Sequence, residues 1–586
     1  MLKTVSPGPD ACPQRPPSQD TNMAEPTTSP DNSTLSNAQI LRAALLMLLG
    51  FLASGVLGFV RTAVLSAQFG TSGAHEAFLA AQRLPELIFV LVAGGALGSS
   101  FIPIYARVRE GDKQAAWRFA SAVMTLSALA AALLGIVVIL FADPIVQHAL
   151  YPGRPLHQQQ LAAHLMRLMM VTPFIFSISG LVMGILQSHG LFLLPSLAIS
   201  MNSLGIIAGA LFLAPAMATA NATFALLPGG QLPLHQVGNA SVYGLAYGAV
   251  LSALLHLLVQ LPGLWQIRAR IRPNFDWRLP GVWDVLRLMG PRILGQGVVQ
   301  INFLVNVNLA SGMVEGSYVA LQTAFNLMFF ALGMIGQSVG SAVFPTLSAL
   351  HARGDWDGYK DRLSRAMRSV LFLALPATAA FIILGVPIVS IFERGEWSRT
   401  STEATAWALG FYASGIAGFA LLEILSRAFY ALEDTWTPVR IGIGAMVTNI
   451  VLSLLLIRVI GDPDSLVRGP FAGLALANAL TTLIEAAVLY WLLRRRIGHL
   501  GETPGLDDAG TWYSVSRTGI ATLVMAVVLW VINQAMPTSG LMVAIVGGII
   551  GGGVFFAVAW ALGVPEVLGL LGPILRRIPG LRRLAA

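Results

Sequence analysis

Apolar runs of about twenty residues recur from Leu41 to Leu562, each closed by a short polar link. A helix needs roughly 20 apolar residues to cross the hydrocarbon core of a bilayer. About fourteen runs of that size can be drawn: 40–60, 77–106, 117–142, 161–188, 190–214, 241–266, 285–311, 318–348, 367–392, 404–430, 437–459, 470–493, 516–535 and 540–562. The fourth and fifth, and the seventh and eighth, are the least cleanly separated, which leaves twelve or thirteen spans open. Composition agrees with the pattern. The chain is 55% hydrophobic and 11% charged, with mean hydropathy +0.71, too little charge to cover a soluble surface of this size. In lipid every backbone polar group must be satisfied internally, so the expectation is an all-α membrane protein of about fourteen transmembrane helices.

Charge orients the chain. Basic residues gather in alternate links: Arg107, Arg109, Lys113 and Arg118; Arg268, Arg270, Arg272, Arg278 and Arg287; Arg353, Lys360, Arg362, Arg365 and Arg368; Arg494, Arg495 and Arg496; and the C-terminal Arg576, Arg577, Arg582 and Arg583. The 215–240 link has neither Lys nor Arg. By the positive-inside rule both termini are cytoplasmic, with Arg394, Arg399, Arg458 and Arg468 running against the pattern. The single cysteine, Cys12, allows no internal disulfide and no multi-cysteine metal site. Residues 1–37 are rich in Pro, Ser and Thr without apolar period and read as a disordered tail, not as a cleavable signal. Met23 is an alternative start.

The chain repeats itself. Gly98-Ser-Ser-Phe-Ile-Pro103 returns as Gly340-Ser-Ala-Val-Phe-Pro345, Gly111-Asp112 as Gly354-Asp355, and Pro144-Ile-Val146 as Pro387-Ile-Val389, 242 to 243 residues on. The competing reading is convergent apolar composition. The links after both copies are basic, so the copies share one orientation, a parallel repeat about an axis along the membrane normal. The expected organisation is a tail at 1–37, an N-terminal lobe at 38–266, a basic linker at 267–284, a C-terminal lobe at 285–495, two further helices at 496–562 and a basic segment at 563–586. Two pseudo-symmetric six-helix lobes would enclose a central cavity.

Ionisable groups inside spans are costly and usually face a cavity or a partner. Arg61, Glu76, Arg83, Glu86, Arg292, Glu423, Arg427 and Glu485 stand out, with Gln300, Asn302, Asn306, Asn308, Asn326 and Gln337 beside them. Arg61 and Arg83 fit either a cavity or snorkelling to an interface. The polar run from Gln300 to Asn308 fits a cavity wall or interhelical hydrogen bonds. Gly333, Gly336 and Gly340 fit plain close packing. No phosphate loop, zinc-protease motif, nucleophile elbow, kinase set or potassium filter occurs, so neither an enzyme nor an autonomous ATP-driven pump is expected.

Arg427-Ala-Phe-Tyr-Ala-Leu-Glu-Asp434-Thr-Trp-Thr-Pro438 resembles the FYA…D…TP signature of the MurJ/MviN lipid II flippase family. Gly290-Pro-Arg292…Gln300-Ile-Asn302, Gly316-Ser-Tyr-Val-Ala-Leu321 and Phe344-Pro-Thr-Leu347 resemble the opening of that family's second half. Val56-Leu-Gly-Phe-Val-Arg61, Glu76-Ala-Phe78, Arg83-Leu-Pro85 and Phe101-Ile-Pro103 resemble its first half in order and spacing. The resemblance covers about residues 40–560. It implies the fold of the multidrug/oligosaccharidyl-lipid/polysaccharide exporters and movement of a lipid-linked peptidoglycan precursor to the outer leaflet of the bacterial inner membrane. It also implies a cationic cavity for the pyrophosphate and a groove for the lipid tail at the last two helices. Several family positions differ: Gly55, Thr62, Phe89, Gly94 and Asn326 stand where charged residues are usual.

The resulting expectation is that Arg61, Arg83 and Arg292 bind phosphates, and that Gln300, Asn306 and Asn326 bind sugar or peptide. Glu76 should pair with one of these arginines or couple to an ion or proton, and Glu86, Glu423 and Arg427 should serve as charge partners. Partners are an anionic lipid-linked substrate and membrane lipids, with no nucleic acid. No cofactor is expected, only a membrane potential or ion gradient. The rivals are export of another polyprenyl-linked glycan or of small molecules on the same fold, and a non-transporting scaffold.

Overall fold

The computed structural model describes residues 37–92, 95–219, 236–502, 505–536 and 540–567. The tail with Met23 and the basic stretch from Ile574 to Leu584 lie outside them. The first half contains α1 (Asn37–Phe69), α2 (Gly73–Val92), α3 (Gly95–Gly111), α4 (Lys113–Leu140), α5 (Leu156–Met169), α6 (Val171–Ser188), α7 (Leu193–Ala208) and α8 (Tyr243–Leu258). The second half contains α9 (Val282–Ser311), α10 (Ser317–Leu332), α11 (Ser338–Ala352), α12 (Trp356–Ile383), α13 (Arg399–Ala413), α14 (Ile416–Ala431), α15 (Trp436–Leu456) and α16 (Phe471–Ile497). Two more follow, α17 (Asp508–Ala535) and α18 (Gly540–Ala561). Among the described residues the only strands are the two-residue pair Gln236–Val237 and Ala240–Ser241.

Among the described residues ten helices are long and apolar enough to cross a membrane, or twelve when each of two bent pairs counts as one span. These follow the third to fourteenth expected spans in order. The first two positions are occupied by α1 and by α2 with α3, which are outside that set; α2 places Glu76, Arg83 and Glu86 within 20 residues. The number shown among the described residues is therefore ten to twelve of the fourteen expected. One bend, 52°, separates Val282–Gly290 from Gly295–Ser311. The other, 47°, separates α13 from α14. There Gly415 lets the turn rest on Ala479, whose Cα would lie 2.7 Å from an added Cβ.

The repeat is visible in the elements. Pro103 lies inside α3 and Pro345 inside α11. Asp112 then caps the 28-residue α4 by accepting from the Gln114 N–H, and Asp355 caps the 28-residue α12 by accepting from the Gly358 N–H. Such caps satisfy donors that a first helical turn leaves unpaired. Short helices at Ala142–Pro144 and Gly385–Val389 close both units.

The main buried cluster runs unbroken from Phe69 and Phe78, through Tyr318 and Leu321, to Tyr412 and Phe429. Packing therefore continues from one half into the other. α17 and α18 have a separate core on the flank of α12, where Phe372 and Leu384 meet Met525, Leu529, Val543 and Phe555. Gly551 permits the close approach, since an added Cβ would lie 2.5 Å from Leu529. Leu523, Val527 and Ile549 remain exposed on these helices, as suits contact with lipid.

Candidate functional site

Helix direction separates two faces. One carries the basic links; the other, called the far face, gathers the ends of α1, α4, α9 and α12 and the starts of α2, α5, α10 and α13. At the far face the two halves are joined through buried polar groups. Glu76, in the first turn of α2, is fully buried, and both its oxygens accept from the Arg154 guanidinium at 2.8 Å. The same carboxylate accepts from the backbone N–H of Gly316 at 3.1 Å and Tyr318 at 3.2 Å. It thus sits on the N-terminus of α10, where free amides and the helix dipole favour negative charge. Glu315 does the converse: it accepts from the Gly73 N–H at 2.6 Å, at the start of α2, and from Gln158 Nε2 at 2.8 Å.

Arg154 also donates to the carbonyls of Met313 and Val314, at 2.6 and 3.1 Å. The Thr71 and Ser401 hydroxyls meet at 2.9 Å, and Asn308 Nδ2 donates to the Ala149 carbonyl at 2.7 Å. The contact is close enough to require glycine. Gly316 has φ +92°, and an added Cβ there would lie 2.6 Å from the Thr71 carbonyl oxygen; at Gly70 it would lie 2.3 Å from that of Glu396. Gly73 with Glu315 and Glu76 with Tyr318 are each 242 residues apart, the spacing that relates Gly98 to Gly340. Residues made equivalent by the repeat touch each other, so the pseudo-twofold axis passes through this cluster.

Glu76 therefore pairs with Arg154, not with Arg61 or Arg83 as expected. The reason is geometric: Glu76 and Arg83 lie two helical turns apart on α2, whereas the turn before α5 delivers Arg154 directly to the carboxylate. Arg154 and Glu315 were missed because both are loop residues with no periodic signal.

Deeper in the seam, a cavity of about 180 Å³ is lined by Gly55, Gly58, Arg61 and Thr62 of α1, Asn326, Phe329 and Phe330 of α10, and Phe392. Arg61 is half-buried and has neither a hydrogen bond nor an ion pair among the described residues, although it lies within electrostatic reach of Glu86 and Arg83. Arg83 is committed. Its Nε donates to the Tyr318 hydroxyl at 2.6 Å, one terminal nitrogen to Glu86 at 2.9 Å and the other to Gln322 Oε1 at 2.5 Å. The guanidinium also lies 5.1 Å from the Phe303 ring centroid.

A second cavity, about 610 Å³, adjoins the first at Phe329. It is lined by Leu332, Phe344, Phe419, Glu423, Ser426, Arg427 and Tyr430 and lies toward the basic face. Glu423 and Arg427 pair with each other one turn apart on α14. Gly340 makes room for Arg427, whose guanidinium would lie 3.0 Å from an added Cβ. The Gly333–Gly340 stretch thus houses a charged pair as well as allowing helices to approach. Gln300 and Asn306 line neither cavity. Asn306 is buried with its Oδ1 unpartnered, and neighbouring Asn308 joins the two halves. The side chain of Arg292 lies outside the described residues. Among the described residues no group of His, Cys, Asp and Glu could hold a metal ion.

The family model described as Lipid II flippase MurJ matches residues 65–549. The chain belongs to the MurJ lipid II flippase family. Curated relatives include the lipid II flippase MurJ of Burkholderia cenocepacia, 28% identical over 540 residues, 89% of this chain and 97% of that protein. The probable lipid II flippase MurJ of Haemophilus influenzae is 30% identical over 457 residues, 75% of this chain and 83% of that protein. Among solved structures, a MurJ in an inward closed conformation superposes with TM-score 0.70 at 20% identity, covering 90% of this chain and 100% of that one. An inward-facing multidrug-resistance transporter of the MATE family superposes with TM-score 0.58 at 17% identity, covering 78% and 98%. These two share the fold of this MurJ family member.

Proposed function

We propose that this chain moves a polyprenyl-linked peptidoglycan precursor from the inner to the outer leaflet of the bacterial cytoplasmic membrane by alternating access. The basic links and both termini face the cytoplasm. The single observation that carries the reading is the contrast along the seam: an unpaired guanidinium, Arg61, in a cavity between the halves, with the far face shut above it by the buried Glu76–Arg154 pair and the hydrogen bonds around it. An ionised side chain at this depth is costly without a partner, and an anionic head group supplies one. Arg61 and Asn326 touch that head group. Arg83 holds α2 to α10 in this state, and the Glu76–Arg154 pair keeps the outer side closed until the halves rock. Membrane potential or an ion gradient drives the cycle, without a bound cofactor. The polyprenyl tail stays in hydrocarbon beside α17 and α18.

A second reading, a less anionic polyprenyl-linked glycan on the same path, is favoured by one observation. Phe89 stands where the family resemblance implies arginine, and it packs on Phe176 with ring centroids 5.0 Å apart. Rescue of bacteria depleted of their own flippase tests the proposal. Wild type is expected to restore growth, and Arg61→Ala, made to the same level in the membrane, is expected not to. Failure of wild type with normal membrane insertion overturns lipid II as substrate, and rescue by Arg61→Ala overturns the site.

A further inference from the structure

Arg83, Gln322 and Asn326 form a hydrogen-bonded line that ends at the cavity of Arg61. A guanidinium has only N–H groups to offer. The Gln322 atom 2.5 Å from Arg83 must therefore be its carbonyl oxygen, since the reverse orientation would set donor against donor. That choice leaves Gln322 Nε2 pointing along α10, where it donates to Asn326 Oδ1 at 2.9 Å. Asn326 must present its oxygen to this donor, so its Nδ2 remains. Nδ2 has no partner among the described residues, and Asn326 lines the cavity that Arg61 lines from α1. The orientation of two amides, usually a matter of assignment, is fixed here by one arginine that never reaches the cavity.

We infer that Arg83 and Gln322 are positioning residues that set Asn326 as a hydrogen-bond donor beside Arg61, so that the two together hold a phosphoryl group. This rests on the flippase reading and specifies how its site recognises the head group. One guanidinium supplies full charge from α1, and one neutral N–H₂ supplies direction from α10. Ordinary phosphate oxygens accept from both; a cation or an N–H-rich group finds no acceptor at either. Because the line begins on α2 and ends on α10, the donor is in place only while the Arg83 contacts hold, which ties head-group recognition to this arrangement of the halves.

The test is binding of undecaprenyl diphosphate, against undecaprenol as the uncharged control, to full-length protein in nanodiscs. Wild type should prefer the diphosphate. Asn326→Leu removes the donor and should weaken binding about tenfold; the nearly isosteric Asn326→Asp replaces it with an acceptor and should weaken binding about a hundredfold. Gln322→Glu still accepts from Arg83 but cannot donate, so Asn326 turns and presents its oxygen; binding should fall by a similar hundredfold with thermal stability kept. Adding Asn326→Arg to Gln322→Glu returns a donor and should recover affinity to within about threefold of wild type, a rescue that a packing role does not produce. Aspartate binding as well as leucine, a neutral Gln322→Glu, or no rescue overturns the inference and leaves the flippase reading standing. A wild type that ignores the diphosphate overturns the anionic head group, and the positioning role with it.

Discussion

The far-face cluster and the Arg61 cavity lie on the same seam and treat charge in opposite ways. Around Glu76 the two carboxylates, Glu76 and Glu315, have all four oxygens engaged, and each is bonded to the other half. Glu76 takes Arg154 and two amides of α10, and Glu315 takes Gly73 and Gln158. Around Arg61 the guanidinium and the Asn326 amide are left with donors to spare. Buried polar groups that are paired rigidify an interface; an unpaired charge that lines a cavity is open to a ligand. The contrast separates a closed door from an empty seat, and the seat lies just beneath the door, with Arg61 two turns before the far-face end of α1 and Asn326 between two and three turns after the far-face start of α10.

The strongest way to break this contrast is to make the door permanent. Thr71 and Ser401 oppose each other at 2.9 Å, and Cys12 is the sole cysteine. In a Cys12→Ser background, Thr71→Cys with Ser401→Cys should cross-link under mild oxidation and abolish growth rescue completely. A reductant should restore it, and each single cysteine should be innocuous. Retained rescue with the cross-link formed shows that the far face need not open.

Next in size is removal of Glu76. The side chain is fully buried, and its loss strands Arg154, itself only 7% exposed. Removing one partner of a buried pair costs about 3–5 kcal/mol, so Glu76→Ala should lower the unfolding temperature sharply and raise accessibility of a cysteine placed at Thr71. Glu76→Gln keeps one acceptor oxygen, for either the Gly316 or the Tyr318 amide, and should lose less than alanine. Equal losses would assign the carboxylate's value to charge alone.

Arg61→Ala should do the reverse. With no partner to strand, it should leave thermal stability within about 0.5 kcal/mol. It should also weaken binding of undecaprenyl diphosphate about 10- to 100-fold, the worth of a charge-assisted hydrogen bond. A large stability loss would mean that Arg61 belongs to the packing.

How much of this was legible in the sequence differs between the same two regions. The repeat was readable because Pro103 and Pro345, and the capping residues Asp112 and Asp355, serve the chain locally, so their spacing survives in sequence. Arg61 and Asn326 were readable because a polar group on an apolar helix is conspicuous wherever it points. The door was not. Glu76 stood out, but its partner Arg154 sits in a turn among ordinary polar residues 78 positions away, and Glu315 acts on an amide 242 positions away. Nothing local encodes such pairs. The polar run on α9 shows the same limit: Asn308 bridges to Ala149 and Asn306 is buried, because hydrogen-bonding capacity alone does not say whether a partner is protein or cargo.

The smallest expected effect lies at the basic face, outside the membrane, where a paired charge should matter little. Asp434, between α14 and α15, is pushed up by partial burial. That push is outweighed by donation from the Thr437 N–H and hydroxyl and by Arg496, which together hold the carboxyl below its usual range. A carboxylate depressed in the folded state stabilises the fold at pH values above its unfolded pKa of about 3.9, and the benefit disappears as pH falls through the lower folded value. Wild type should therefore exceed Asp434→Asn in thermal stability at pH 7, and the gap should close on acidification below about pH 4. Because Arg496 is 46% exposed, solvent screens the pair, and the gap at pH 7 should stay under about 1 kcal/mol. A gap as large as that of Glu76→Ala would mean that the basic face is braced as firmly as the far face, which would remove the asymmetry on which a one-sided opening depends.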